Sequence, residues 1–441
     1  MDVLLISTYE LGRQPFGLAS PAALLREAGH SVTCIDASRT PISLEAVRRA
    51  QLIAFYLPMH TATRLALPLL GRVRSVNPQA HLCAYGLYAP LNADLLRQAG
   101  VQSLIGGEFE QALVRLAAGE SLTPCPVQLE RIAFAVPQRH DLPPLDQYAA
   151  LDTDGDRRIT GYTEASRGCK HLCRHCPIVP VYQGKFRIVP PEIVLADIRA
   201  QVHAGARHIT FGDPDFFNGP AHARRIIEAF HSEWPGLTYD VTIKIEHLLR
   251  HRDLLPLLRD TGCILVTSAV ESIDDNVLAL LRKGHTRADF CEAVDLCRRA
   301  NLTLSPTFIP FTPWATLNGY RDLLATLAAM DLIPNVAPIQ LALRLLITAQ
   351  SPLLELPDVQ QVVRGFNPVS LVHPWHHPDP AIDALATRLL TLVDQQQKLG
   401  ASRADSFAAI WREANGDSPL PPQPPLVARA AVPFLTEPWY C

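Results

Sequence analysis

Over residues 1–122, short apolar runs alternate with amphipathic stretches, the pattern of a parallel sheet with crossover helices. Residues 3–7, 31–36, 52–57, 81–85 and 102–105 read as buried strands. Residues 20–28 read as a helix closed by Gly29, and residues 62–76 as another. Gly106, Gly107 and Glu108 open a third helix that runs to Ala118. Five strand–helix steps predict a small doubly wound, Rossmann-like domain, whose ligands bind at the C-terminal strand ends.

The pattern lapses over residues 123–158, where Thr123 to Asp146 is rich in proline and has no sustained period, so this stretch reads as a linker. Asp152 to Asp156 resembles a calcium loop, but its glycine falls at the fourth position and no Glu closes it, so a polar turn is expected. A second series follows over residues 159–350. Strands are expected at 161–166, 208–211, 239–244, 264–270, 302–309 and 337–345, with helices at 191–204, 221–231, 254–260, 274–281, 288–299 and 317–327. Six units predict a partial (βα)6 barrel with its site at the C-terminal strand ends. Residues 351–441 are irregular, with helices expected at 381–399 and 403–414 and a stiff proline run at 419–425. No repeat of solenoid length interrupts this α/β reading.

Composition narrows the function classes. The chain has 441 residues, 48% hydrophobic and 19% charged, with a net charge of −3. It is globular, and it lacks the basic surplus of a protein that grips nucleic acid over a broad face. Apolar runs such as 52–57 fall well short of the roughly 18 residues a membrane span needs. The N-terminus lacks a basic n-region, so no signal peptide and a cytoplasmic location are expected. In such a reducing compartment, clustered thiols are metal ligands or catalysts more often than disulfides. Of the 10 cysteines, Cys34, Cys83, Cys263, Cys291 and Cys297 lie in strand-like or helix-like patterns and read as small buried hydrophobes. Cys125 falls in the linker and Cys441 ends the chain.

Cys169, Cys173 and Cys176 stand apart, in a C-x3-C-x2-C spacing just after the first strand of the second series. Three thiolates on a short loop can hold three irons of a [4Fe-4S] cluster and leave the fourth open. Arg167, Lys170 and Arg174 are expected to lower the thiol pKa values and offset cluster charge. The competing reading is a Cys3His zinc site that uses His171 or His175.

This motif, placed after the first strand of a six-unit barrel, resembles the radical SAM superfamily. The resemblance implies an enzyme whose open iron is chelated by S-adenosyl-L-methionine. One-electron reduction of that complex yields a 5′-deoxyadenosyl radical, which abstracts hydrogen from substrate. It implies roles for other residues too. His175 replaces the usual aromatic residue before the third cysteine and would stack on adenine. Gly212 and Asp213, after the second strand, resemble the motif that meets the amino group of S-adenosylmethionine through Asp213 or a backbone carbonyl. Glu271 and Ser272, after the fourth, resemble the segment that holds ribose and methionine. Ile309 lies on the adenine-contacting strand. Lys283 reads either as part of the site or as an ordinary basic helix cap. Gln340 and Arg344 interrupt the sixth strand, and Arg344 would meet a substrate carboxylate or a structural acid.

A doubly wound domain before such a barrel resembles the cobalamin-binding domain of class B members. The axial-histidine motif D-x-H-x-x-G is absent: the loop reads Ser7-Thr8-Tyr9-Glu10-Leu11-Gly12, and His60 lies too late to replace it. The usual glycine pair is reduced to Gly86. The domain therefore either takes cobalamin without that ligand or keeps the fold for packing and substrate capture. The full pattern, ending in Trp439-Tyr440-Cys441, resembles the CUAEP/CCAEP-tail radical SAM proteins. In them a second cysteine or a selenocysteine follows, so the natural chain is expected to continue past Cys441. Expected partners are a small-molecule substrate and an electron donor such as flavodoxin or ferredoxin, with no nucleic acid and no membrane. The reaction would be cobalamin-dependent methylation, a rearrangement or a group transfer. The alternative class is a non-catalytic or redox metal- or metalloid-binding protein.

Overall fold

The structure is a computed structural model that describes residues 1–122, 127–153, 155–420 and 434–436; Cys125 and Cys441 lie outside them. The N-terminal domain runs β1 (Asp2–Ser7), α1 (Phe16–Glu27), β2 (Ser31–Asp36), α2 (Leu44–Arg49), β3 (Leu52–Tyr56), α3 (His60–Val76), β4 (His81–Tyr85), α4 (Tyr88–Leu91), α5 (Ala93–Gln98), β5 (Ser103–Gly107), α6 (Glu110–Ala117) and β6 (Val127–Gln128). These strands form one parallel sheet in the order β2-β1-β3-β4-β5-β6. The order reverses between β1 and β3, which creates a topological switch point at the C-terminal edge. Both faces are covered: Leu4, Ile6, Ile53 and Phe55 pack on one side, and Val3, Leu5, Leu52 and Ala54 on the other. That double burial is why these strands read as continuous apolar runs rather than alternating ones.

The region expected as a linker is partly ordered. Beyond β6 it makes hydrogen bonds from Gln14 Nε2 to the Pro143 carbonyl and from the Gln138 amide to the Ala19 carbonyl. Arg139 crosses to the second domain and meets Asp197 at 2.9 Å. A hairpin of β7 (Ala150–Thr153) and β8 (Asp156–Thr163) then enters the second sheet. Between its strands the Gly155 amide donates to Asp152 Oδ1 at 3.2 Å, as expected of a polar turn.

The second domain continues with β9 (Ser166–Gly168), α7 (Val179–Tyr182), β10 (Phe186–Ile188), α8 (Pro191–His203), β11 (His208–Phe211), α9 (Pro220–Glu233), β12 (Thr238–Thr242), α10 (Ile245–Arg250), α11 (Leu255–Asp260), β13 (Cys263–Glu271), α12 (Asp275–Leu280), α13 (Arg287–Arg299), β14 (Leu304–Phe308) and α14 (Leu317–Ala329). Strands β8, β11, β12, β13 and β14 pair in parallel as a curled half-barrel, and β7 and β15 (Phe434–Leu435) extend its edge antiparallel. Its core includes Phe211, Phe217, Phe230, Phe290 and Phe308, each 1% exposed or less. Full burial of each such ring stabilises the fold by about 2–3 kcal/mol.

Two expected strands differ. The one at 161–166 breaks after Thr163, and β9 turns away to pair with β10. The sixth strand, at 337–345, is not a strand. Residues Pro338–Leu341 form a 3-10 turn, and only a single parallel bridge, Phe311 to Arg344, survives. Pro338 has no N–H to donate, and the Gln340 side chain, not a sixth backbone, accepts from the Phe308 amide at 3.2 Å. Helices α15 (Pro357–Val362), α16 (Pro380–Lys398) and α17 (Arg403–Asn415) complete the C-terminal segment, and Leu389, Phe407, Ile410 and Trp411 pack into the barrel core.

Candidate active site

The cysteine loop leaves β9 through Gly168, whose φ of 72° lies in the left-handed region. A side chain there would meet the Lys185 carbonyl oxygen at 2.5 Å, so glycine is what lets the loop fold back under α7. Cys173 and Cys176 then close a turn, the Cys176 amide donating to the Cys173 carbonyl at 3.1 Å. All three cysteines are free thiols; Cys173 is buried and Cys169 and Cys176 are half-buried. Burial raises the Cys169 thiol and pushes that of Cys176 up to about 12.

The expected cationic neighbours are engaged elsewhere. Arg167 pairs with Glu110 at 2.6 Å, Glu164 at 2.7 Å and Glu108 at 3.3 Å. Arg174 donates to the Leu280 carbonyl, and Lys170 lies over the Phe186 ring. Lys283 supplies the charge instead. It is 2% exposed, its field lowers the Cys176 thiol, and Cys173 and Cys176 in turn help hold it protonated. Burial opposes that charge, and Glu271 is its chief electrostatic support.

Glu271 ends β13 with φ 70°, strained for a residue with a side chain. His175 Nε2 lies 3.1 Å from its Oε1 and Lys283 Nζ lies 3.4 Å away. Burial resists ionisation, but Lys283 and then His175 hold this carboxyl down at about 2. The Ile309 amide donates to the Glu271 carbonyl at 2.9 Å. Glu271, Ser272 and Ile309 line a cavity of about 240 Å³ together with Pro310, Thr312 and Trp314. The structure thus gathers His175, Glu271, Ser272, Ile309 and Lys283 around the strand ends beside the cysteine loop. Spacing alone leaves Lys283 open between a site residue and an ordinary helix cap. Its burial depends on a fold that sequence spacing does not show.

The other expected residues have more specific surroundings. Gly212 is pressed against Tyr162, and a Cβ would lie 1.9 Å from the phenol oxygen. Asp213 accepts from the Ala165 amide and the Ser166 hydroxyl, so it braces the turn before the cysteines; burial raises it to about 7. Arg344 faces the C-terminal segment, where it pairs with Asp383 at 2.6 Å, donates to the Trp375 carbonyl and lies 3.8 Å over that indole. Asp383 is a structural acid of the kind expected for it. Gly86 has φ 103°, and a side chain there would meet the Leu57 carbonyl oxygen at 2.9 Å.

The two domains meet at these edges. Val181 and Tyr182 of α7 pack into the core of the first domain, and half-buried Met59, Leu87 and Ile178 pack against the same core. Ile178 follows the third cysteine by two residues, so the switch-point loops adjoin the cysteine loop. His60 is not a spare ligand there, because its Nε2 meets the Ser370 carbonyl at 2.6 Å. Among the described residues no helix is long and apolar enough to cross a membrane.

Comparison with known proteins agrees with this layout. Residues 163–324 match the family described as the Radical SAM superfamily. The ribosomal protein uS12 methylthiotransferase RimO of Parabacteroides distasonis is 25% identical over 181 residues, 38% of this chain and 40% of that protein. The anaerobic magnesium-protoporphyrin IX monomethyl ester cyclase of Synechocystis sp. is 24% identical over 321 residues, 67% of this chain and 64% of that protein. This chain thus spans less than two thirds of either relative. The fold is similar to that of the cobalamin-dependent S-adenosylmethionine radical enzyme OxsB with aqua-cobalamin and S-adenosylmethionine bound. The TM-score is 0.72 at 13% identity, covering 90% of this chain and 67% of that one.

Proposed function

We infer that this chain, whose residues 163–324 match the Radical SAM superfamily, is a radical SAM enzyme with a cobalamin-binding-like domain, that Cys169, Cys173 and Cys176 hold the [4Fe-4S] cluster and that the adjoining strand ends hold S-adenosylmethionine. The observation that carries this is the three free thiols gathered on one loop, with His175 of that loop held on the buried Glu271–Lys283 pair at the strand ends. Lys283 is paired with Glu271, and its charge would also offset that of cluster thiolates. When bound, the pair supplies one-electron cleavage of the sulfonium to a 5′-deoxyadenosyl radical. Glu271 and Ser272 offer acceptors to the ribose and methionine moieties, and Ile309 offers an apolar wall to adenine. His175 is held by Glu271 with one edge of its ring free to pack on the base. Asp213 keeps the loop in register, which leaves the ammonium of the methionine moiety to backbone carbonyls near Gly212.

The first domain takes cobalamin in this reading, at the switch point between β1 and β3. Partly exposed Met59 and Leu87 fit an apolar macrocycle, and the loop from Ser7 to Gly12 contains no histidine, so the cofactor would sit without an imidazole from the protein. The substrate is a small molecule, the electron donor a flavodoxin or ferredoxin, and the setting the cytoplasm.

Anaerobic reconstitution with iron, sulfide and reductant tests the reading. About four irons per chain and reductant-dependent release of 5′-deoxyadenosine are expected, both lost in C173A. Stoichiometric zinc on the cysteines with intact S-adenosylmethionine would falsify it. Co-elution of hydroxocobalamin with the protein, measured in the same preparation, tests the first domain separately.

A further inference from the structure

Beside the cysteine loop, a second group of metal-ligating side chains converges. His171 comes from the loop itself, Asp215 from the turn after β11, and His247 from α10. One ligand atom from each lies within 4.8 Å of the others. His247 Nδ1 is 2.7 Å and His171 Nε2 is 3.3 Å from Asp215 Oδ2. Asp215 is 0% and His247 4% exposed. His171 Nε2, His247 Nδ1 and Asp215 Oδ2 are all buried, and neither ring aims an N–H squarely at the oxygen, although against the upward pull of burial the two imidazoles hold the Asp215 carboxyl down at about 2.

Three buried polar atoms in contact but poorly aligned recover only part of their desolvation cost. A cation between them removes the remainder. With metal–ligand bonds of about 2.1 Å, adjacent donors stand roughly 3.0 Å apart in octahedral and 3.4 Å in tetrahedral geometry. The 3.3 Å contact from His171 falls within that range, and the 2.7 Å contact from His247 would have to open slightly to admit an ion. The surroundings fit as well. Asp215 Oδ1 accepts from the Phe217 amide at 3.2 Å, which fixes the carboxylate and leaves Oδ2 free. Glu246 Oε2 lies 3.6 Å from His171 Nδ1, on the side of the ring away from Asp215. A carboxylate behind a histidine is the usual support that sets which nitrogen faces the ion.

We propose that His171, Asp215 and His247 bind a divalent transition ion of the zinc class, in a site separate from the cysteine trio. Two imidazoles and one carboxylate are a three-ligand donor set for such ions, which leaves a coordination position open. The half-buried side of His171 gives the ion a route in.

The test is anaerobic loading of the iron-reconstituted protein with Zn²⁺, then gel filtration and elemental analysis. The expected result is about one zinc per chain beside the cluster iron. C173S/C176S should lose iron and keep zinc, whereas D215N and H247Q should lose zinc and keep iron. The reverse assignment, or no zinc retained by the wild type at micromolar free metal, overturns the site. X-ray absorption at the zinc edge of the loaded wild type checks the ligands without a variant. A shell of nitrogen and oxygen at about 2.0–2.1 Å is expected, and sulfur at about 2.3 Å overturns it. None of these readouts depends on cleavage of S-adenosylmethionine, so failure here and failure of the radical reading are told apart.

Discussion

Glu271 and Lys283 form a buried ion pair with Oε1 and Nζ 3.4 Å apart, and both residues are less than a tenth exposed. The pair joins the end of β13 to the segment after α12, and His175 of the cysteine loop completes it. The backbone strain at Glu271 sits at the same point. The relationship couples the loop that would hold the cluster to the strand that would hold its co-substrate.

Breaking that pair from one side strands a charge. E271Q and K283M are each expected to lower unfolding free energy by about 3–5 kcal/mol, read from denaturant midpoints. The double variant E271Q/K283M should lose less than the sum, because no uncompensated charge remains. If the losses add, the pair is not coupled. K283M should also move the cluster midpoint potential to a more negative value in a redox titration, since the more reduced state loses a nearby cation.

Asp213 makes the opposite contribution with pH. Its folded pKa, raised to about 7 by burial, exceeds the ordinary 3.8. The folded chain therefore holds a proton that the unfolded chain has released between those values, so stability is present below about 4 and lost as pH rises to about 7. The shift corresponds to a swing on the order of 4 kcal/mol. D213N, neutral at every pH, should flatten this part of the stability curve. A variant curve with the wild-type slope rules the assignment out.

Arg167 is 6% exposed and pairs with three carboxylates, two from the first domain and one from the second. R167M should cost about 3–5 kcal/mol by leaving those acids buried without a cation. Protease cleavage between the domains, in the region around residues 127–150, should then speed up. An unchanged digestion pattern would show that the ion cluster does not fasten the interface.

Gly212 faces the Tyr162 ring, so G212A should cost about 1–3 kcal/mol through overpacking. Y162L, which removes the ring, should cancel most of that cost in the double variant. Thermal melts of the four proteins measure it.

Much of the fold was open to sequence reading because its strongest signals are local. The β1, β2 and β4 runs carry their own apolar pattern, and helices such as α13 and α16 carry both pattern and caps. The sixth barrel strand misled for the same reason. Residues 337–345 are apolar enough for a strand, but apolarity does not reveal that Pro338 starts a 3-10 turn and that the Gln340 side chain accepts from the Phe308 amide in place of a sixth backbone.

By itself the sequence determined the two α/β halves, the three-cysteine loop and the acids and glycines at the strand ends. Those are statements about neighbours along the chain. Only the tertiary structure decided which charge serves which site. It bound Arg167 to three glutamates, gave Arg344 to Asp383, turned Asp213 toward its own loop and brought Lys283 to Glu271. It also brought His171, Asp215 and His247 together from three elements. The physical reason is that a buried charge or an unpaired donor must find a partner wherever the fold supplies one. That partner is set by the packing of distant segments, which spacing along the chain does not encode.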